Sequence, residues 1–236
     1  MPHAVASDTS ICNMALAHLA TGQQIQSLND RSSEARVCKL FYDQVRGETL
    51  NGFPWPFATK YASLMLVGGT SDVPYNTDWQ YAYQYPVDAT TIRRLWNGIS
   101  RIETHESRVP YTRSQDADNN PLILTDFPPV IASTVLPALP YCEYTQEVLD
   151  PARFSPAFTQ SLAFLLAFYI APQLTAGDRF GLGKRAYMMY QQNIQAAQEN
   201  AIDELQADLL PPSEFILARD GSTVGYPNVP MVVRPY

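Results

Sequence analysis

With 236 residues, 46% of them hydrophobic and 17% charged, the chain is long enough to bury one large core or two small ones. A formal net charge of −7 argues against a protein that holds nucleic acid by neutralising phosphates, because that mode needs a basic surface. Three scattered cysteines, Cys12, Cys38 and Cys142, suit neither a disulfide framework nor paired zinc ligands and read as reduced thiols in a core.

The opening residues MPHAVASDTS show no basic stretch followed by an apolar run, so no secretory signal is expected. Ser7 or Asp8 can cap a first helix whose broad apolar face holds Ile11, Cys12, Ala15, Leu16 and Leu19, with Thr21-Gly22 as its left-handed stop. His18 falls nearly opposite Cys12 on that helix, so the two form no local catalytic pair. Ile25 and Leu28 anchor the following linker.

A second helix starts at Asp30 or Ser32, with Val37, Phe41 and Val45 on one side and Arg36, Lys39, Asp43 and Arg46 on the other. Lys39 with Asp43, and Asp43 with Arg46, are spaced to pair along its surface. The helix stops at Asn51-Gly52, and the structural junction Pro54, Trp55, Pro56 forces the chain onward in extended form.

From Ala58 to about Asp150 short alternating runs predict an antiparallel β region. The candidate strands are Tyr61 to Val67, the Trp79, Tyr81, Tyr83, Tyr85 alternation, Thr91 to Trp96, Ile99 to Glu106, Leu122 to Thr125, Ile131 to Leu136 and Pro140 to Val148. The alternation puts four aromatics on one strand face, where they serve sheet packing or, less commonly, base stacking. Asp116 to Asn120 begins like a calcium loop, but Pro121 and Phe127 stand where that loop needs Gly and a carboxylate, so a polar turn is expected. Five arginines between Arg93 and Arg113, against Glu103 and Glu106, form the one locally basic region and read as ordinary sheet surface, with DNA or an acidic neighbour as the alternative.

Ser155-Pro156 opens a third helix, uncharged from Phe154 to Gly177. Its polar residues and Pro172 argue for burial among helices or between subunits rather than a membrane span. Gly181-Leu182-Gly183-Lys184 resembles the end of a phosphate loop, but Asp178 and Arg185 break the motif. A fourth helix is expected from about Gly181 to Asp208, with Ala186, Tyr190, Ile194, Ala197, Ala201 and Leu205 in one stripe. Arg179, Lys184 and Arg185 crowd its positive end, and Glu199, Asp203, Glu204 and Asp208 its negative end. A solvated acidic face, or a basic partner, would accommodate the latter.

The last stretch is rich in prolines yet carries Phe215, Ile216, Tyr226, Met231, Val232, Val233 and Tyr236, which suits an extended arm docked on another surface or folded back on its own domain. The expected fold is α+β: an antiparallel helical bundle formed by residues 1–56 and 153–208, an inserted small antiparallel β domain at 57–152, and an extended C-terminal arm at 209–236. His3, His18 and His105 have no partnered nucleophile, no carboxylate pair stands out, and no cofactor or metal site is read, so the residues give no evidence for an enzyme without excluding one.

Three segments taken in order carry a family resemblance: residues 11–58 with their FPWPF exit, YAYQYPVDATTIRRLW, and YCEYTQEVLDPARFSPAFTQSLAFLLAFYIAPQLT. Together they resemble the head-to-tail adaptor, or tail tubular protein A, of short-tailed bacteriophages, over about Asp8 to Leu205. That resemblance implies a structural virion protein and not an enzyme, made in the host cytoplasm, forming a ring of twelve copies below the portal protein and bearing the tail nozzle, of the tail tubular protein B type. It also implies that the C-terminal arm reaches the portal or an adjacent subunit. Genome DNA would pass through without sequence-specific binding and no membrane would be involved; twelve chains at −7 each carry −84 formal charges, which disfavours sticking of DNA. The alternatives are a tail-associated hydrolase, which needs a convergent catalytic cleft, and a single-stranded nucleic-acid binder using Tyr81, Tyr83 and Tyr85.

Overall fold

The computed structural model describes residues 6–69, 78–96, 109–129, 140–178 and 180–204, which form four α-helices and two small antiparallel sheets, a mixed α+β fold. The chain divides into two compact units, Met1–Gln206 and Ala207–Tyr236, and every described residue belongs to the first.

Helix α1 (Asp8–His18) begins with a reciprocal cap: the Ser10 amide donates to Ser7 Oγ and the Ser7 amide donates to Ser10 Oγ. It buries Ile11, Cys12, Ala15 and Leu16. Gly22 is left-handed as expected, with φ 70°, but the helix itself is stopped earlier, at Ala20 with φ 53°, where the amides of Ala20 and Thr21 turn back to the carbonyls of Ala17 and Leu16. Helix α3 (Pro156–Leu174) ends the same way, with Ala176 at φ 52° and the Gly177 amide on the Pro172 carbonyl at 2.8 Å. Both positions hold alanine where a Cβ is penalised. Ala20→Gly and Ala176→Gly are each expected to raise stability by about 0.5–1 kcal/mol, read as a higher urea midpoint; unchanged or lower midpoints would refute the strain.

Helix α2 (Ser33–Gly52) is capped by Ser32 and buries Ala35, Val37, Cys38, Tyr42, Val45 and Leu50. Arg46, expected on its polar side, is only 7% exposed. The reason is a set of partners: Asp43 at 3.0 Å, Glu147 at 3.8 Å and the Tyr42 ring at 5.6 Å. Lys39 donates to Asn29 at 2.8 Å in place of the expected Asp43. Before α2, Ile25 is held by both polar atoms of the Asn13 amide, each at 2.9 Å.

Helix α3 is apolar all round, and such a helix is stable in water only when surrounded. It packs against α1, α2 and α4 (Leu182–Glu204), and its Phe158, Leu162, Leu166 and Ile170 lie in the same core as Ile11, Leu16, Val45 and Leu50. By length and composition alone it is also long enough to cross a membrane, yet most of it is buried inside the fold. His18 is exposed on one side and stacks on Phe164 at 4.2 Å on the other, and the partial desolvation lowers its pKa from 6.5. The unfolded chain therefore takes up this proton first, so the His18 contribution is fully present above pH 6.5 and is lost as pH falls below it. His18→Gln is expected to flatten the pH dependence of the unfolding midpoint just below 6.5; an unaltered slope would contradict this.

Helix α4 lays Gly183, Ala186, Ala197 and Ala201 toward the core, and it ends among the described residues at Glu204, leaving Leu205 of the expected stripe outside them. The phosphate-like glycine segment is a helix start: the Asp178 carboxylate accepts the amides of Gly183 at 2.8 Å and Lys184 at 3.2 Å.

The strands are β1 (Thr59–Ser63), β2 (Leu66–Gly69), β3 (Tyr81–Gln84), β4 (Ala89–Trp96), β5 (Thr112–Gln115), β6 (Pro121–Thr125) and β7 (Tyr141–Gln146). They form a sheet of order β1-β7-β4 and a second of order β2-β3-β6-β5. The single strand expected from Tyr61 to Val67 is two, because the chain changes sheets at Leu64-Met65: the Leu64 amide bonds to Pro140 and the Met65 carbonyl to Gln84, each at 2.9 Å. Leu95, Cys142 and Tyr144 of the first sheet share a core with Tyr83 and Ile123 of the second. Ala82, Leu122 and Leu124 form a smaller cluster with Trp79, so Trp79 does not join the tyrosines as the alternation suggested. Asp116 accepts the amides of Asp118 and Asn120 in the β5–β6 turn, as the Asx reading expects. The candidate strands Ile99 to Glu106 and Ile131 to Leu136 lie outside the described residues.

Candidate assembly surfaces

Trp55 is 1% exposed, and its indole donates to the Thr49 carbonyl at 2.9 Å, tying it back to the last turn of α2. Phe53, Phe57 and Phe158 surround it with ring centroids at 5.0, 6.1 and 5.0 Å. The end of α2 is also gripped from β4. Arg93 donates through Nη2 to the carbonyls of Asn51 at 3.0 Å and Phe53 at 3.1 Å, and through Nε to Thr145 Oγ1 at 2.8 Å. An arginine more than a helix away in sequence thus takes up carbonyls that α2 leaves open. Nothing local in the sequence marks Arg93 for that role.

A groove of about 460 Å³ opens between this junction, the start of α3 and the end of α4. Pro56, Phe57, Pro156 and Ala201 line it, and Asn200, Asp203 and Glu204 stand at its α4 side. Among the described residues neither acid has an ion-pair partner.

The opposite property marks the outer side of α4. The helix approaches α3 through small residues, with Tyr190 and Ile194 beside them against the core, while Tyr187, Met188 and Ile202 on an adjoining side are exposed. Phe168 of α3 joins them, 4.9 Å from Tyr187, and Tyr169 stacks on Phe41 at 5.9 Å while donating to Glu48 at 2.9 Å. An aromatic and methionine face so formed is the kind of surface that contacts another protein.

The tyrosines considered for base stacking are elsewhere engaged. Tyr83 is fully buried and donates to the Phe127 carbonyl at 2.7 Å, and burial pushes its pKa up to about 12. Tyr81 and Tyr85 pack in the same sheet core. The aromatic ladder that does reach the surface was not foreseen: Tyr61, Trp96 and Tyr141, on three different strands, with centroid spacings of 5.5 and 6.2 Å. Of the five arginines, Arg93 holds α2, Arg94 pairs with Glu143 and lies over Trp96, and Arg113 lies over Tyr85 at 4.9 Å. Arg101 and Arg108 are outside the described residues, as are Phe215, Ile216, Tyr226, Met231, Val232, Val233 and Tyr236.

All three cysteines are free thiols in the interior. Cys12 and Cys38 face each other from α1 and α2, and the hydrogen bond between them together with burial pushes Cys12 up. Among the described residues no three His, Cys, Asp or Glu side chains are grouped to hold a metal ion. No protein-family model and no curated protein matches the chain.

Proposed function

We propose that the chain is a structural head-to-tail adaptor of a short-tailed bacteriophage. It forms a ring, of twelve copies, below the portal; the ring continues the DNA channel and carries the tail nozzle, and the protein resides in the virion. In this reading the four helices act as an antiparallel bundle that builds the ring, the sheets act as an inserted domain facing neighbouring tail parts, and residues 209–236 act as an arm.

The observation that carries the reading is the outer face of α4. A helix that packs on its core through Gly183, Ala186, Ala197 and Ala201 with Tyr190 and Ile194, and still turns Tyr187, Met188 and Ile202 outward, has apolar groups on two sides, and a ring supplies a partner for the second. The order of helix pair, strands and helix pair accords with the resemblance, and the net charge of −7 accords with a conduit that DNA passes without adhering.

The test is the mass of the purified 26.4-kDa chain alone and with its cognate portal. A twelve-chain ring, free or assembled on the portal, is expected; a monomer indifferent to the portal would end the proposal. Met188→Lys combined with Ile202→Lys is expected to abolish the ring while leaving the unfolding midpoint nearly unchanged, since these side chains are 50% and 54% exposed.

A further inference from the structure

The groove beside Trp55 is a surface whose chemistry can be matched to one segment of the same sequence. Its walls are proline and aromatic side chains, Pro56, Phe57 and Pro156, with Ala201 between them and Asp203 and Glu204 at one lip. Shallow walls of this kind accept an extended, proline-containing strand, whose flat apolar faces fit without a helix or sheet having to form. The two lip acids call for a cation in that strand.

Residues 221–236, GSTVGYPNVPMVVRPY, meet both demands. Pro227, Pro230 and Pro235 prevent a continuous helix, and Arg234 is the only charged side chain, in a chain of net charge −7. We propose that this segment of a second copy occupies the groove, with Arg234 between Asp203 and Glu204 and with Pro235 and Tyr236 against Phe57 and Pro156. Residues 205–236 can span about 100 Å when extended, which is ample to reach a neighbouring subunit. In a ring each arm would then fill the next subunit's groove, a heterologous contact that closes with the ring. The proposal deepens the adaptor reading by naming a contact between copies, yet it stands or falls by its own experiment.

That experiment uses the full chain. Benzoylphenylalanine is placed at the exposed Asn200, the protein is mixed with an equal amount of ¹⁵N-labelled wild-type chain and irradiated, and crosslinked peptides are sequenced by mass spectrometry. The expected product joins position 200 to a peptide within 220–236 and contains the mixed isotope pair. Arg234→Glu is expected to cut that product about fivefold, as is Asp203→Arg with Glu204→Arg, and combining all three is expected to restore it. Absence of mixed-isotope products, products to other regions, or no effect of the charge reversals would each overturn the assignment. If the ring forms on the portal without this crosslink, the groove proposal fails and the adaptor reading survives; a mixed-isotope crosslink without portal binding gives the reverse.

Discussion

Replacing Trp55 by alanine is expected to remove about 3–5 kcal/mol of stability, a large share of the 5–15 kcal/mol typical of a folded domain. Two losses add. The side chain is almost wholly enclosed by Phe53, Phe57 and Phe158, so its removal opens a cavity that rings anchored on the junction and on α3 cannot fill by small shifts. The Thr49 carbonyl also loses its indole donor inside the core. Trp55→Phe separates the two, because it keeps most of the packing and drops only the hydrogen bond, and should cost about 1–3 kcal/mol. The measurement is urea unfolding followed by far-ultraviolet circular dichroism, since a tryptophan signal would itself be altered. A Trp55→Ala midpoint within error of the wild type would show that the junction is not a shared support of helices and strands.

Trp55 also shows how far local pattern carries a reading and where it stops. Two prolines around a tryptophan after Asn51-Gly52 are a strong statement that a helix ends and the chain leaves extended, and α2 does end at Gly52. What lies beyond sequence is the partner set. Arg93 reaches the α2 terminus from a strand, and the indole bonds back across the break; neither relation has a periodicity or a motif. Capping residues were legible because their spacing is local: Ser7, Ser32 and Ser155 each sit at the start of the expected helix. Arg46 shows the converse. Helical spacing assigned it to the polar side and paired it with Asp43, as found, but that it would be buried over the Tyr42 ring with Glu147 reaching it from another segment has no local signal.

The sheets follow the same rule with a different failure. Period-two alternation located β3, β4, β6 and β7 because each has a face in a core. It missed β5, whose residues Thr112 to Gln115 are all polar and which is an edge strand paired only to β6. It also overcounted what alternation means for β3, where Ala82 on the second face is as buried as Tyr83 on the first. A strand covered on both sides offers no stacking platform. The surface ladder of Tyr61, Trp96 and Tyr141 could not be seen at all, since it is assembled from three strands by cross-strand register. For the groove, Trp55 and Pro56 were named as a junction, Ser155 and Pro156 as a helix start, Ala197 and Ala201 as a stripe, and Asp203 and Glu204 as charges, while Asn200 carried no signal, and only the approach of α4 to α3 made them one surface.

That approach rests on Gly183, and Gly183→Leu is expected to be the second severe substitution. A Cβ at this position would stand 2.6 Å from Ala171 Cβ, well inside contact, and 3.2 Å from the Asp178 carboxylate that caps α4. Ala171 is fully buried and has no rotamer to yield, so the two helix backbones must separate. Even Gly183→Ala is expected to lose about 1–2 kcal/mol, because the gain in helix propensity near a first turn is smaller than the overpacking it brings. Leucine adds three further carbons in the same direction, with a cost above about 3 kcal/mol. The decisive measurement is a double-mutant cycle. Ala171→Gly removes the atom that the new Cβ strikes, so the pair Gly183→Ala with Ala171→Gly should be more stable than the two single losses predict by about 1 kcal/mol. Additive losses would mean that the glycine serves the Asp178 cap alone. A recovered pair would show that the Gly183–Ala171 contact sets the spacing of α3 and α4, and with it the small-residue seam that leaves the aromatic face of α4 free to meet a neighbour.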